Sequence, residues 1–263
     1  MVSVKDVYDY INILAPFSSK MDFDNVGLLA GISTDEVKKI IVSLDITDEV
    51  IEEAAACGAN LIVSHHPLFF SLKCVSDLDP NGKKAAAILR NGMSAICAHT
   101  NLDAARGGVN DVLAKKAGIV NPRLLCVEGV DENGNEYCIG RMGEIKEEME
   151  LEDYLRFLKD SLNVSGLRYV SGGKKVKKVA VVGGSGMSML DYVLAGGCDT
   201  FITADIKYNG FLDAKEGGYN LIDADHFGTE NVVVPYLAEK LRDKFKDIDI
   251  MISKKHCQSV KFL

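Results

Sequence analysis

None of the seven cysteines (57, 74, 97, 126, 138, 198 and 257) lies in a Cys-x-x-Cys pair. Their odd number and wide spacing suit buried thiols in a reducing compartment, which argues against a cysteine zinc site. No apolar run reaches the roughly 18 residues that a membrane-spanning helix needs. The opening residues, Met1 to Pro16, mix charge with helical spacing instead of forming a secretory leader, so the expected location is the cytoplasm. Positive charge is also short: 30 Lys and Arg stand against 38 Asp and Glu, a net charge of -8, so general nucleic-acid binding is not expected. The one dense basic run, Lys174, Lys175, Lys177 and Lys178, flanks an expected strand. Gly-x-Ser-x-Gly is missing, and no cysteine sits in a recognisable Cys/His motif, so the chain advertises no side-chain nucleophile.

What the chain does have is bulk and pattern. At 263 residues and 47% hydrophobic content it can bury a full core, as one large domain or two modest lobes. Val4, Val7, Tyr8, Ile11 and Leu14 make the apolar stripe of an opening helix. Strands are expected at about 38–44, 60–64 and 94–98, and helices at about 47–57, 83–91 and 108–117. Ile40 to Val42 and Leu61 to Val63 are apolar on both faces, as in a parallel sheet covered by helices. The second half repeats the first: Val37 to Val42 matches Val176 to Val181, and Gly58 to Ser64 matches Gly197 to Thr203 at the same offset. After a short gap, His99 falls opposite His226 and Asp103 opposite Glu230. The expected architecture is α/β, two related lobes of layered sheets flanked by helices, over 1–128 and 129–263. A connecting region near 119–135 carries Asn121-Pro122 and the turn-like Asp131 to Gly134. The competing explanation of the repeat is chance, since glycine and β-branched residues recur at fixed places in all βαβ units.

Four of only five histidines fall just past expected strand ends, where open α/β sheets place their binding residues. His65 and His66 follow the strand ending near Ser64, and Pro67 stops the ladder there. A histidine in such a place is a satisfied polar group or a ligand, but two adjacent imidazoles cannot both hide in one core. Read alone, Asp103 is a helix cap, and His226 with Glu230, four apart on one helical face, is a surface contact. Together these three imidazoles and two carboxylates form a ligand set suited to zinc, iron or manganese. Five donors exceed what one tetrahedral ion needs, which favours two divalent metal ions sharing a carboxylate.

Asp24 to Leu28 with Gly31, Ser64 to Pro67, His99 to Asp103, Thr203 to Asp205, and Asp225-His226 with Thr229-Glu230 follow one another along nearly the whole chain. In these pieces the sequence resembles the GTP cyclohydrolase 1 type 2 homolog (Nif-three-like) family, in its short form without a large central insertion. The resemblance implies a two-lobed α/β fold and a ring-shaped homohexamer. It also implies a dinuclear metal centre in the inter-lobe cleft, held by His65, His66, Asp103, His226 and Glu230, with Asp103 or Glu230 bridging. Phe23 stands where the family usually has tryptophan, one apolar aromatic for another. Asn209 sits near where many relatives carry a further histidine, so any catalytic part of that histidine is missing or changed.

His99 lies outside this ligand set and is the candidate catalytic residue, exchanging a proton with a bound water or hydrogen-bonding a ligand carboxylate. Val182 to Gly186 is either a phosphate cradle at a helix N-terminus or a plain tight turn; it lacks the Lys-Ser/Thr of a P-loop. Asp45 and Asp205 read first as helix caps and only second as cleft residues, and His256 as an ordinary surface residue. The expected function is metal-dependent hydrolysis of a small nucleotide-like or phosphorylated molecule. The alternative is a non-catalytic metal-binding scaffold whose ring binds a protein partner or DNA.

Overall fold

Short apolar strands and capped amphipathic helices alternate along the chain because the apolar period switches between two and about 3.6 at each polar turn. The computed structural model describes residues 1–261 and 263. It divides into two units, Met1–Leu102 with Val234–Cys257, and Asp103–Val233 with Gln258–Leu263. The first run comprises α1 (Val4–Leu14), β1 (Gly27–Ala30), β2 (Lys39–Ser43), α2 (Asp48–Ala56), β3 (Leu61–Ser64), α3 (Pro80–Arg90), β4 (Ser94–Cys97) and, at the border, α4 (Thr100–Ala104). The second unit continues with α5 (Val109–Lys116), β5 (Ile119–Leu124), β6 (Gly129–Val130), β7 (Glu136–Tyr137), β8 (Arg141–Met149) and α6 (Leu151–Leu162). It is completed by β9 (Arg168–Val170), β10 (Val176–Val181), α7 (Leu190–Ala195), β11 (Thr200–Thr203), α8 (Tyr208–Gly217), β12 (Asn220–Asp223) and α9 (His226–Glu230). Finally α10 (Val233–Lys244) and β13 (Asp249–Ile252) return to the first unit.

The helices start where their side chains can cap. Ser3 and Asp6 form a capping box on α1, Thr47 accepts from Val50 N–H at α2, and Asp79 precedes Pro80 at α3. In the first unit the sheet order is β1-β4-β3-β2-β13, parallel except for β1. Ile41, Val50, Ile62 and Ile88 belong to its buried cluster. In the second unit the order is β5-β8-β10-β11-β12-β9, with β10, β11 and β12 parallel and the flanking pairings antiparallel. Helix α6 buries Leu151, Tyr154, Leu155, Leu158 and Leu162 as one stripe in that unit's core, with Val179, Ile202 and Ile222. Each such side chain contributes on the order of 1.5–3 kcal/mol by leaving water.

In each unit the matched strands, β2-β3-β4 and β10-β11-β12, run parallel and the last of them carries an antiparallel neighbour, β1 on β4 and β9 on β12; β13 adds a fourth parallel strand to the first unit. The parallel strands end in step, Ser43 beside Ser64 and Ser64 beside Cys97. Residues just after them consequently leave the sheet at one edge. The expected break at 128/129 falls inside the second unit, because β13 pairs with β2 and α5 packs on β5, β8 and β10. The expected connector at 119–135 begins as sheet: β5 pairs with β8, and Asn121 (φ 50) with Pro122 forms an irregularity in that edge strand. Among the described residues no helix is long and apolar enough to cross a membrane.

Candidate metal centre

In the first unit, two strand exits bring three imidazoles together. His65 and His66 follow β3 and His99 follows β4, with ring centroids 5.2 Å apart for His65–His66, 5.2 Å for His65–His99 and 5.6 Å for His66–His99. One ring nitrogen from each lies within 4.8 Å of the others, a group able to hold a metal ion. Each ring is oriented through Nδ1: His65 to the Ala98 carbonyl at 2.9 Å, His66 to Asp45 Oδ1 at 2.6 Å, His99 to Asp24 Oδ1 at 2.9 Å. In a neutral imidazole such a bond makes Nδ1 the donor and Nε2 the lone-pair nitrogen, the tautomer a metal ligand needs. Asp24 is buried, which pushes its carboxyl up, but hydrogen bonds from His99 and Thr100 outweigh burial and hold it well below the usual carboxylate range.

Asp45 is thus not the cap of α2, a task Thr47 performs; it orients His66. Removing its charge in Asp45→Asn is expected to weaken metal binding to the protein by about 10–100-fold with the fold intact. Competition against a chromogenic chelator measures this, and unchanged affinity would remove Asp45 from the site.

In the second unit, α9 carries His226 and Glu230 on one face. Asp225, in a left-handed conformation (φ 69), caps this short helix by accepting from Gly228 N–H. His226 Nδ1 meets Asp205 Oδ2 at 2.7 Å and its Nε2 meets Glu230 Oε2 at 2.9 Å. Asp205, expected first as a cap, orients His226 as Asp45 orients His66. Asp103 lies in α4 and is buried, an environment a carboxylate tolerates only against cations or donors. Its backbone is fixed by Asn110, whose Nδ2 donates to the Asp103 carbonyl (3.2 Å) while its Oδ1 accepts from Gly183 N–H (2.8 Å). Buried Arg141 donates to the carbonyls of Ala104 and Ala105 just beyond it, and to Asp111.

The glycine turn after β10 is no phosphate cradle. Its three glycine amides are committed to the protein: Gly183 to Asn110, Gly184 to Thr229 Oγ1 at 3.0 Å, and Gly186 to Thr203 Oγ1 at 2.8 Å. The turn instead makes room for a ligand candidate. A Cβ on Gly184 would stand 2.1 Å from Glu230 Oε1.

Between two carboxylates, His226 holds a proton well. The Glu230 hydrogen bond raises its pKa most, against the lowering effect of burial, and Glu230's charge and Asp205 add to bring it from 6.5 to about 9. The raised value means that this ion pair stabilises the metal-free unit fully below pH 6.5 and is lost as pH rises through about 9. A cation taking Nε2 must displace the same proton. Apparent metal affinity at this ring is therefore expected to rise about tenfold per pH unit up to the ring's raised pKa and to level off above it. Titrations in two buffers of different ionisation enthalpy should show close to one proton released per ion near neutral pH; no release would contradict this.

The geometry fits a metal: imidazoles each held through Nδ1, buried carboxylates, and a proton held where a cation would sit. His256 stays apart, its Nδ1 on the Ser253 carbonyl. Asp24 and Asn110 are the residues that sequence reasoning left without a site role; Asp45 and Asp205, read first as caps and second as cleft residues, carried the signal of a position just past a strand end.

The Duf34/NIF3 (NGG1p interacting factor 3) family model matches residues 2–258. A relative in Clostridium perfringens, called GTP cyclohydrolase 1 type 2 homolog, is 34% identical over 265 residues, covering 100% of both chains. Among solved structures, the Staphylococcus aureus hypothetical protein SA1388 superposes with a TM-score of 0.91 at 30% identity, over 99% of each chain. A Bacillus cereus protein related to NIF3 shares the fold at a TM-score of 0.92 and 24% identity, over 100% of this chain and 99% of that one.

Proposed function

The chain belongs to the Duf34/NIF3 family, and from that premise we propose that it is a metal-dependent hydrolase of a small nucleotide-like or phosphorylated molecule, with two divalent ions held by His65, His66, Asp103, His226 and Glu230. One observation carries the reading: all four imidazoles have Nδ1 held by a carbonyl or carboxylate oxygen, the arrangement that prepares Nε2 for a metal. Imidazole and carboxylate donors suit zinc, iron or manganese. Such ions supply, when bound, Lewis-acid polarisation of the bond to be broken and a water acidified towards neutrality. The chain's own groups do the rest. Asp45 and Asp205 keep His66 and His226 in the ligating tautomer, and Asn110 fixes the backbone of Asp103. His99, pinned through Nδ1 by Asp24, presents the lone pair of Nε2, which can take a proton from the attacking water and then pass that proton to the leaving group.

Purified protein loaded with zinc, manganese or iron(II) should turn over GTP or one of a panel of phosphoesters. Chelation should abolish that turnover and metal should restore it. If no loaded form turns over any of them, and chelation lowers the melting temperature sharply, the ions are structural and the protein is a scaffold.

A further inference from the structure

Beside the imidazoles of the first unit lie two phenylalanine rings that the metal chemistry does not use. Phe23 is 65% exposed and Phe70 57% exposed, although large apolar side chains ordinarily gain by leaving water. Their centroids are 6.2 Å apart at an interplanar angle of 48°, and Phe70 stands 5.8 Å from the His99 ring at 64°. A continuous line of rings therefore runs from Phe23 through Phe70 to His99 and on to His65 and His66.

The local sequence holds this line in place. Within Phe23-Asp24-Asn25 the first residue exposes its ring, the second fixes His99, and the third donates from Nδ2 to the Phe69 carbonyl at 2.9 Å, tying down the segment that presents Phe70. Aromatic faces held this way are a surface made ready for a guest, because little conformational entropy remains to be lost on binding.

We propose that Phe23 and Phe70 form a stacking platform for a planar heteroaromatic ring of the substrate, which they lay against the His99 end of the imidazole cluster. The shape selects that guest. At 6.2 Å the two rings already touch, so a ligand lies across them instead of between them, offset on one and edge-on to the other. The platform is apolar while its inner border is imidazole, which suits a molecule with flat apolar faces and a polar edge, such as a nucleobase. The inference deepens the proposed hydrolase reading and takes from it the identification of the imidazoles as the reacting end.

The test is calorimetric titration of the full chain, metal-loaded and chelated, with guanosine 5′-monophosphate and with ribose 5-phosphate, which has the sugar and phosphate but no base. The nucleotide should bind at least about tenfold more tightly, as stacking one base on an aromatic side chain implies. Phe23→Ala and Phe70→Ala should each cost about tenfold for the nucleotide and nothing for ribose 5-phosphate, and Phe23→Trp should tighten it. Both positions are exposed, so the variants should keep the wild-type melting temperature. Absence of nucleotide binding, equal binding of the two probes, or nucleotide affinity unchanged in both alanine variants would overturn the platform. So would light scattering showing that either alanine variant changes the assembly's mass, which would assign these rings to a contact between copies. Nucleotide binding that persists in chelated protein while no loaded form hydrolyses anything leaves the platform standing and removes the hydrolase; turnover without base-dependent binding removes the platform alone.

Discussion

Glu230→Ala is expected to strip metal from the second unit's donors and to reduce turnover well beyond the roughly 100-fold that an orienting partner such as Asp45 is worth. Glu230 is only 3% exposed and its Oε2 lies 2.9 Å from His226 Nε2. It is at once a buried anion, a ligand candidate and the main reason that His226 keeps its proton. Without it, His226 retains only Asp205 and its pKa falls back towards 6.5. A cation there would find one imidazole where it had an imidazole and a carboxylate. Glu230→Gln separates charge from shape: it fills the same volume with a neutral amide, so it should lose metal as the alanine variant does without opening a cavity. Metal per chain by elemental analysis and kcat after reconstitution are the readouts. Full metal content in both variants would take Glu230 out of the centre.

Much of this was legible from spacing alone. The doubled α/β arrangement follows from apolar runs at β2, β3, β10 and β11 that match at one offset, and the observed strands lie within a residue or two of their expected places. The ligand candidates were visible because chemistry at the end of a buried strand needs no knowledge of side-chain contacts: an imidazole after Ser64 or Asp223 must leave the sheet at its edge. The orienting roles were not visible. Asp45 stands where an N-cap could stand, and only the structure shows that Thr47 has taken the cap and left Asp45 to His66. Asp205 is the same case with His226. The glycine turn left two readings open, an anion cradle or a plain tight turn, and the amides found on Asn110, Thr229 and Thr203 decide for the turn. Asn121-Pro122 read as part of a linker because an Asn-Pro dipeptide is also what a connector shows; the cross-strand bonds of β5 to β8 decide it.

Gly184→Ala is expected to disable the centre without altering any residue that could touch a metal. Two penalties are combined at this position, and they can be separated. The first is backbone strain, because Gly184 has φ +60, where a Cβ costs on the order of 1 kcal/mol. The second is space: the new methyl would stand 2.1 Å from Glu230 Oε1 and 3.2 Å from His226 Cε1. The atom in the way is the far end of a side chain, so the fold can survive by moving the carboxylate. Glu230 is buried, however, and its Cγ lies 3.4 Å from where a Cβ on Gly183 would be, so that movement takes it off His226 rather than into open space. Gly173→Ala is the matched control in the same unit: its φ of +77 is equally left-handed, and a Cβ there meets nothing within 4 Å. Both variants should therefore pay the same small backbone cost in thermal unfolding, and Gly184→Ala should lose further stability because it breaks the buried Glu230–His226 pair. Only Gly184→Ala should lose metal, to about the extent of Glu230→Ala, together with the raised pKa of His226, which an NMR titration of the ring in metal-free protein would read directly. If the two variants keep equal metal, the glycine turn is merely a turn, and the close approach of Glu230 to it has no bearing on the chemistry.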